Sequence, residues 1–136
     1  MMEKDIIQYR RQRATETIGE AELLLDNQKL YAAVNRIYYA VFYEVVALLL
    51  TKSLSSAKHT GVRSLFNKEF IKKGIVDKKQ GEFYNSIFGF RTRADYEDFI
   101  EFDSEKVKSW LNNAKEFIDS IDRIIQTLLN ESKKYN

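Results

Sequence analysis

Two short stretches hold the side chains that could do chemistry. The first, Asn35-Arg36-Ile37-Tyr38-Tyr39, lies inside the apolar run Leu30–Leu50, and the second is Arg91-Thr92-Arg93-Ala94-Asp95-Tyr96. A guanidinium on an apolar helix must reach water, a carboxylate or a ligand phosphate, because an unpaired buried charge costs several kcal/mol. Arg91 and Asp95 are spaced i, i+4, which puts them on one helix face and permits an ion pair worth a few tenths of a kcal/mol. Two arginines meeting tyrosines in one cleft would instead suit a phosphate and a stacked base. Spacing alone leaves both readings open, the intrahelical ion pair being the simpler.

Other chemistries find little support. The 136 residues include no cysteine, which removes disulfides and thiolate catalysis and fits a reducing, cytoplasmic setting. There is no glycine-rich phosphate loop and no cluster of metal ligands, so neither a metal nor a cofactor is expected. The single histidine, His59, falls in the Ser- and Lys-rich stretch Thr51–Thr60. A Ser-His-Asp set would have to be assembled from that loop. Net charge is only +2, but it is unevenly spread. Eight Lys or Arg between Lys52 and Lys79 face only Glu69 and Asp77, and six acidic residues with no base lie between Asp95 and Glu105. Such blocks form solvated faces or, for the basic one, a surface for a polyanion or partner.

The elements that must position these residues read as helices throughout. Proline is absent and there are five glycines, which favours long helices with short connections. Ala14, Ile18, Ala21 and Leu25 draw one apolar stripe on a first helix, from about Lys4 to Asp26. Its Arg10, Arg11 and Arg13 are either exposed or in reach of phosphates. Asn27-Gln28-Lys29 is a short break that makes the next helix an antiparallel neighbour. That helix, Leu30–Leu50, is apolar nearly all round and should be the most buried, while Asn35, Arg36 and Glu44 argue against a membrane span. Gly61 opens a third helix that stops near Lys72-Lys73-Gly74. Phe83, Ile87, Phe90 and Ala94 mark a fourth, after the polar Asp77–Gly81. Asp103 or Ser104 caps a last helix whose stripe runs through Val107, Leu111, Ala114, Ile118, Ile121, Ile125 and Leu128. The expectation is a single domain over residues 1–136 and an all-α antiparallel bundle of four core helices plus a fifth.

In order, Ala33-Val34-Asn35-Arg36-Ile37-Tyr38-Tyr39-Ala40-Val41-Phe42-Tyr43, Lys58-His59-Thr60-Gly61-Val62 and Arg91-Thr92-Arg93-Ala94-Asp95-Tyr96 resemble a HEPN domain (higher eukaryotes and prokaryotes nucleotide-binding) of the small stand-alone prokaryotic branch. The resemblance implies an all-helical homodimer whose polar motifs face a shared cleft. It also implies pairing with a minimal nucleotidyltransferase, as in toxin–antitoxin modules. Many members are metal-independent ribonucleases with an arginine and a histidine separated by four to six residues. At the corresponding positions after Arg91 stand Tyr96, Glu97 and Asp98. Tyrosine titrates at roughly pH 10 and is a poor general base. On this resemblance Arg36, Tyr39, Arg91, Asp95 and Tyr96 are the residues to bind RNA or a nucleotide, with Arg91 and Tyr96 as any catalytic pair. His59 is a contributor or orders its loop, and Arg36 is expected within reach of Asp95 or Tyr96, near a two-fold axis. Three readings follow: an RNA- or nucleotide-binding component of a two-component module, a metal-independent endoribonuclease toxin, or a non-catalytic dimeric interaction bundle.

Overall fold

The computed structural model describes residues 2–98 and 100–135, with no side-chain description for residues 2 and 133–135. Among the described residues there are five α-helices and no strand: α1 (Met2–Asp26), α2 (Leu30–Leu50), α3 (His59–Phe66), α4 (Lys78–Tyr96) and α5 (Ser104–Tyr135). A π-helical turn, Asn67–Ile71, continues α3.

α2 is the axle of the bundle. Ala33, Val34, Ile37, Tyr38, Ala40, Val41, Val45, Ala47 and Leu48 are all fully buried. α1, α4, α5 and α3 all pack against it. Its pairing with α1 is the most extensive, and both helices carry buried alanines seven residues apart: Ala14 and Ala21 on one, Ala33, Ala40 and Ala47 on the other. Small side chains at a recurring position let two backbones run close along several turns. α2 is long and apolar enough to cross a membrane, but most of it is buried inside the protein. α5 completes the core with Val107, Ala114, Phe117, Ile121 and Ile125, all fully buried.

The helix ends follow a common geometry. Gln28 (φ 59°), Ser53 (φ 57°) and Gly74 (φ 73°) each take the left-handed conformation just past a helix. At each, two backbone bonds close the end, for example Lys29 N–H to Leu24 C=O at 2.9 Å and Gln28 N–H to Leu25 C=O at 2.9 Å. Glycine therefore provides the stop at Gly74, as the sequence suggests, while Gln28 and Ser53 do the same work at a steric cost.

Helix starts differ from the sequence expectation in two places that matter. α3 begins at His59, not at Gly61, so the histidine belongs to a helix and not to a loose loop. α4 begins at Lys78 because Asp77 caps it, its carboxylate accepting from the Lys79 N–H at 3.4 Å. The polar stretch read as a connection is thus the first turn of α4. α5 starts as expected, with Asp103 accepting from the Glu105 N–H at 3.4 Å.

Candidate functional site

Arg91 is the centre of the polar cluster. It rises from α4 toward two adjacent tyrosines of α2, and its guanidinium carbon lies 5.2 Å from the Tyr38 ring centroid and 5.5 Å from that of Tyr39. Nη2 donates to the Tyr39 hydroxyl at 3.1 Å. Nε lies 2.9 Å from Asp95 Oδ2, too far off the N–H axis for a hydrogen bond, so the contact is an ion pair. The i, i+4 pair expected from the sequence therefore forms, and the same arginine also spans two helices. Adjacent positions on a helix point about 100° apart. Tyr38 accordingly turns inward, fully buried, while Tyr39 remains half-buried at the edge.

His59 joins this cluster from the first turn of α3. Its ring stacks on Phe42 with centroids 4.3 Å apart and planes 6° from parallel. Tyr39 meets it edge-on at 5.7 Å. His59 Nδ1 and the Tyr38 hydroxyl are hydrogen-bonded at 2.6 Å. Burial, and then the positive charge of Arg91, lowers the His59 pKa below its ordinary value, so the imidazole is neutral at pH 7. If Nδ1–H donates to Tyr38, Nε2 is left as the basic nitrogen; if the hydroxyl donates, Nε2 carries the hydrogen. The Tyr38 phenol is pushed up to about 12 by burial, against the lowering effect of Arg91, and stays protonated.

Arg36 corrects the expectation drawn from the sequence. It reaches neither Asp95 nor Tyr96. Its Nε and Nη2 donate to Asn35 Oδ1 at 3.1 and 2.8 Å, and Nη1 lies 3.9 Å from Glu20 on α1. The physical reason is competition: Asp95 is already engaged by Arg91 one turn away on α4, and Tyr39 stands between the two arginines. Arg36 stacks on the Tyr39 ring at 5.1 Å while Arg91 takes its hydroxyl. The two cations are therefore joined through one tyrosine and not through a carboxylate. Tyr96 is 79% exposed and has no bonding partner in the cluster.

Several contributors were not evident from spacing. Tyr38 and Phe42, one turn apart on α2, form the notch that receives His59; the i, i+4 aromatic spacing was the available signal. Tyr43 extends the aromatic row, its ring 6.0 Å from Tyr39. Arg13 of α1 lies over Tyr43 at 5.2 Å and donates to its hydroxyl at 3.5 Å. Arg11 turns elsewhere, to Asp122 of α5 at 2.8 Å. A groove of about 580 Å³ between α4 and α5 is walled by Phe83, Ile87, Phe90 and Trp110 and receives neither Arg36 nor Arg91. No group of three His, Cys, Asp or Glu side chains suited to a metal ion occurs among the described residues.

An all-helical bundle that gathers arginine, histidine and tyrosines from α2, α3 and α4 defines a candidate site for a phosphate-bearing ligand. The HEPN domain model matches residues 7–124. The chain belongs to the HEPN family. It is 51% identical over 129 residues to a "UPF0332 protein" of Thermotoga maritima, covering 94% of this chain and 98% of that one. Two Methanocaldococcus jannaschii proteins are also similar. "Putative toxin MJ0142" is 36% identical over 91% of this chain and 77% of its own length, and "Putative toxin MJ0605" is 33% identical over 95% and 98%.

Proposed function

We propose that this chain is the toxin-like, RNA- or nucleotide-binding component of a two-component module, acting in the cytoplasm as a homodimer with a minimal nucleotidyltransferase. The observation that carries the reading is Arg91: a guanidinium laid against Tyr38 and Tyr39, with neutral His59 in the same aromatic notch. Arginine binds phosphate through its N–H fork, and a tyrosine face accepts an unpaired base. Family membership and the names of the Methanocaldococcus jannaschii relatives support the toxin-like part. Fluorescence anisotropy with labelled single-stranded RNA, and with a labelled nucleotide, tests it. Arg91→Ala should weaken binding by tenfold or more with the fold retained. A wild-type protein that binds neither ligand overturns the reading.

A second reading, a metal-independent ribonuclease, is favoured by one specific observation. His59 is neutral and held beside a fixed arginine, the arrangement that general-base activation of an RNA 2′-hydroxyl requires. Imidazole would take the 2′-hydroxyl proton, O2′ would bond to phosphorus, and the 5′-oxygen would leave, protonated by water, as a 2′,3′-cyclic phosphate forms. Arg91 would neutralise the developing phosphorane charge. His59 fills this role better than the exposed Tyr96. RNA cleavage in the presence of EDTA, lost in both His59→Ala and Arg91→Ala, would establish it; intact RNA after prolonged incubation with folded wild-type protein would eliminate it.

A further inference from the structure

We propose that the groove between α3 with its π-helical turn and α4 is a track for the phosphodiester backbone of an RNA strand whose reactive or bound nucleotide sits at Arg91 and His59. The groove measures about 510 Å³ and is lined by Arg63, Ser64, Asn67, Lys68, Lys72 and Asn85. Its lining therefore offers three cations, a hydroxyl and two amides, with no carboxylate and no aliphatic or aromatic residue, the apolar part of its wall coming from the stems of these polar side chains. A pocket for a small organic ligand needs apolar walls. This lining matches a repeating anion, which demands charge and hydrogen-bond donors and little else. The inference rests on the RNA-binding reading of the site above and extends it to the strand beyond one nucleotide.

Three features join the groove to the site and explain its charge. Arg63 follows His59 by one helical turn on α3, and Asn67 follows Arg63 by another, so the groove continues the line on which the histidine stands. Arg63 is fixed from beneath by the Phe88 ring at 4.4 Å, and Phe88 meets Tyr38 edge-on at 5.9 Å. A guanidinium stacked by its face keeps its N–H edge for phosphate oxygens. Among the described residues Arg63 makes no ion pair or hydrogen bond. Glu69, the one carboxylate on this part of the helix, pairs with Lys73 at 2.6 Å and is attracted more weakly by Lys68, and among the described residues neither Lys68 nor Lys72 forms a direct ion pair.

The π-helical turn supplies the geometry. In a regular α-helix, residue 72 would lie about 140° around the axis from residue 67. Here the Lys72 N–H bonds to the Asn67 C=O at 2.9 Å, an i→i+5 closure that widens the turn and lets Asn67 and Lys72 line one groove. Asn67 in turn donates to Asn85 of α4 at 3.4 Å, fixing the amides of both walls. From His59 to Lys72 the helical path is about 20 Å long, room for several nucleotides.

The test compares a short labelled single-stranded RNA with the matching mononucleotide, on the full chain. The variant Arg63→Gln/Lys68→Gln/Lys72→Gln should weaken the RNA by about tenfold or more and reduce the log–log salt slope by about 2. It should leave the mononucleotide affinity unchanged, whereas Arg91→Ala weakens both ligands. Matching circular dichroism and melting temperature keep a folding failure from imitating the result, and Lys72→Gln alone, on the exposed rim, should lower the slope by about 0.7. RNA affinity and salt slope unchanged in the triple variant, while Arg91→Ala still loses binding, would overturn the track and leave the site reading intact. Loss of an acidic partner protein from the triple variant with RNA binding unchanged would assign the groove to protein docking and overturn the track equally. A wild-type protein that does not bind RNA removes the track together with the reading beneath it.

Discussion

Two sides of α2 carry ionisable groups, and they treat charge in opposite ways. On the side facing α3 and α4, Arg91 lies against Tyr38 and Tyr39 with its side chain 19% exposed, and Arg36 holds the edge of the same tyrosine row toward α1. On the side facing α1 and α5, Glu44 is fully buried beside Asp122, which is itself paired with Arg11 at 2.8 Å. As two carboxylates, Glu44 and Asp122 would have no hydrogen between them, and neither Glu44 oxygen has a donor. A proton on Glu44 supplies it. Burial first, then hydrogen bonding and repulsion from Asp122, pushes the Glu44 pKa up to about 10, against a lowering effect of Arg11. One side thus holds its arginines against tyrosines at the surface, and the other, beneath the partly exposed Arg11–Asp122 pair, neutralises a buried carboxylate by protonation.

The largest expected effect breaks this contrast at its open end. Arg91→Ala should reduce RNA affinity by about 100-fold, since a phosphate-clamping arginine contributes on the order of 2–3 kcal/mol through charge-assisted bonds. Its stability should fall only modestly, by on the order of 1–2 kcal/mol, because the variant loses the Asp95 pair, the Tyr39 hydroxyl bond and the packing on two rings but leaves the apolar core intact. Arg91→Lys should restore only part of the binding, keeping the charge and losing the fork. A variant that melts far below wild type while binding RNA normally would reverse the assignment: Arg91 would then be a structural arginine.

The closed side should answer in stability and not in binding. In the unfolded chain Glu44 titrates near 4.5; in the folded protein it holds its proton to about 10. Between those limits the folded state binds the extra proton, so stability falls as pH rises, by about 1.4 kcal/mol per pH unit from this residue. Glu44→Gln keeps a hydrogen-bond donor toward Asp122 and cannot ionise. Chemical denaturation at a series of pH values above neutrality should therefore show a flatter dependence in Glu44→Gln than in wild type, with a gain at pH 7.5 on the order of 1–3 kcal/mol. Equal slopes would mean that Glu44 is ionised in the fold and that the two sides do not differ in the way described.

The same contrast explains what could be read from the sequence. The helices were legible because every apolar stripe repeats at helical spacing, from Ala14–Leu25 on α1 to the long face of α5. The Arg91–Asp95 pair was legible because i, i+4 is a local rule. The meeting of His59 with Arg91 was not, because it depends on where α3 starts and on how Phe42 and Tyr38 pack, and neither is encoded in a spacing between His59 and Arg91. The family spacing downstream of Arg91 falls on Tyr96, whereas the fold brings His59 into the cluster from upstream. Arg36 was misdirected for a related reason: the sequence indicates that a guanidinium needs a partner, but not that Asn35, Glu20 and the Tyr39 ring supply it. Glu44 was noted only as an obstacle to a membrane span, since its neighbour Asp122 lies on a different helix.

The smallest effect discriminates most finely, because it asks whether Arg91 and His59 share one electrostatic environment. His59 is the chain's single histidine, so its ring protons can be followed by NMR without assignment ambiguity. In wild type it should titrate below 6.5, held there by burial and then by Arg91. Unfolded histidine binds its proton at the higher pH, so this residue costs stability as pH falls below about 6.5. Arg91→Ala removes the nearby positive charge and should move the titration upward, while Glu44→Gln, on the other side of α2, should leave it in place. Tyr38→Phe removes the hydroxyl bonded to Nδ1 and should alter the imidazole shifts even where the affinity for RNA survives. An unchanged His59 titration in Arg91→Ala would separate the two residues electrically and dissolve the joint site, leaving Arg91 as a phosphate clamp without a neighbouring base.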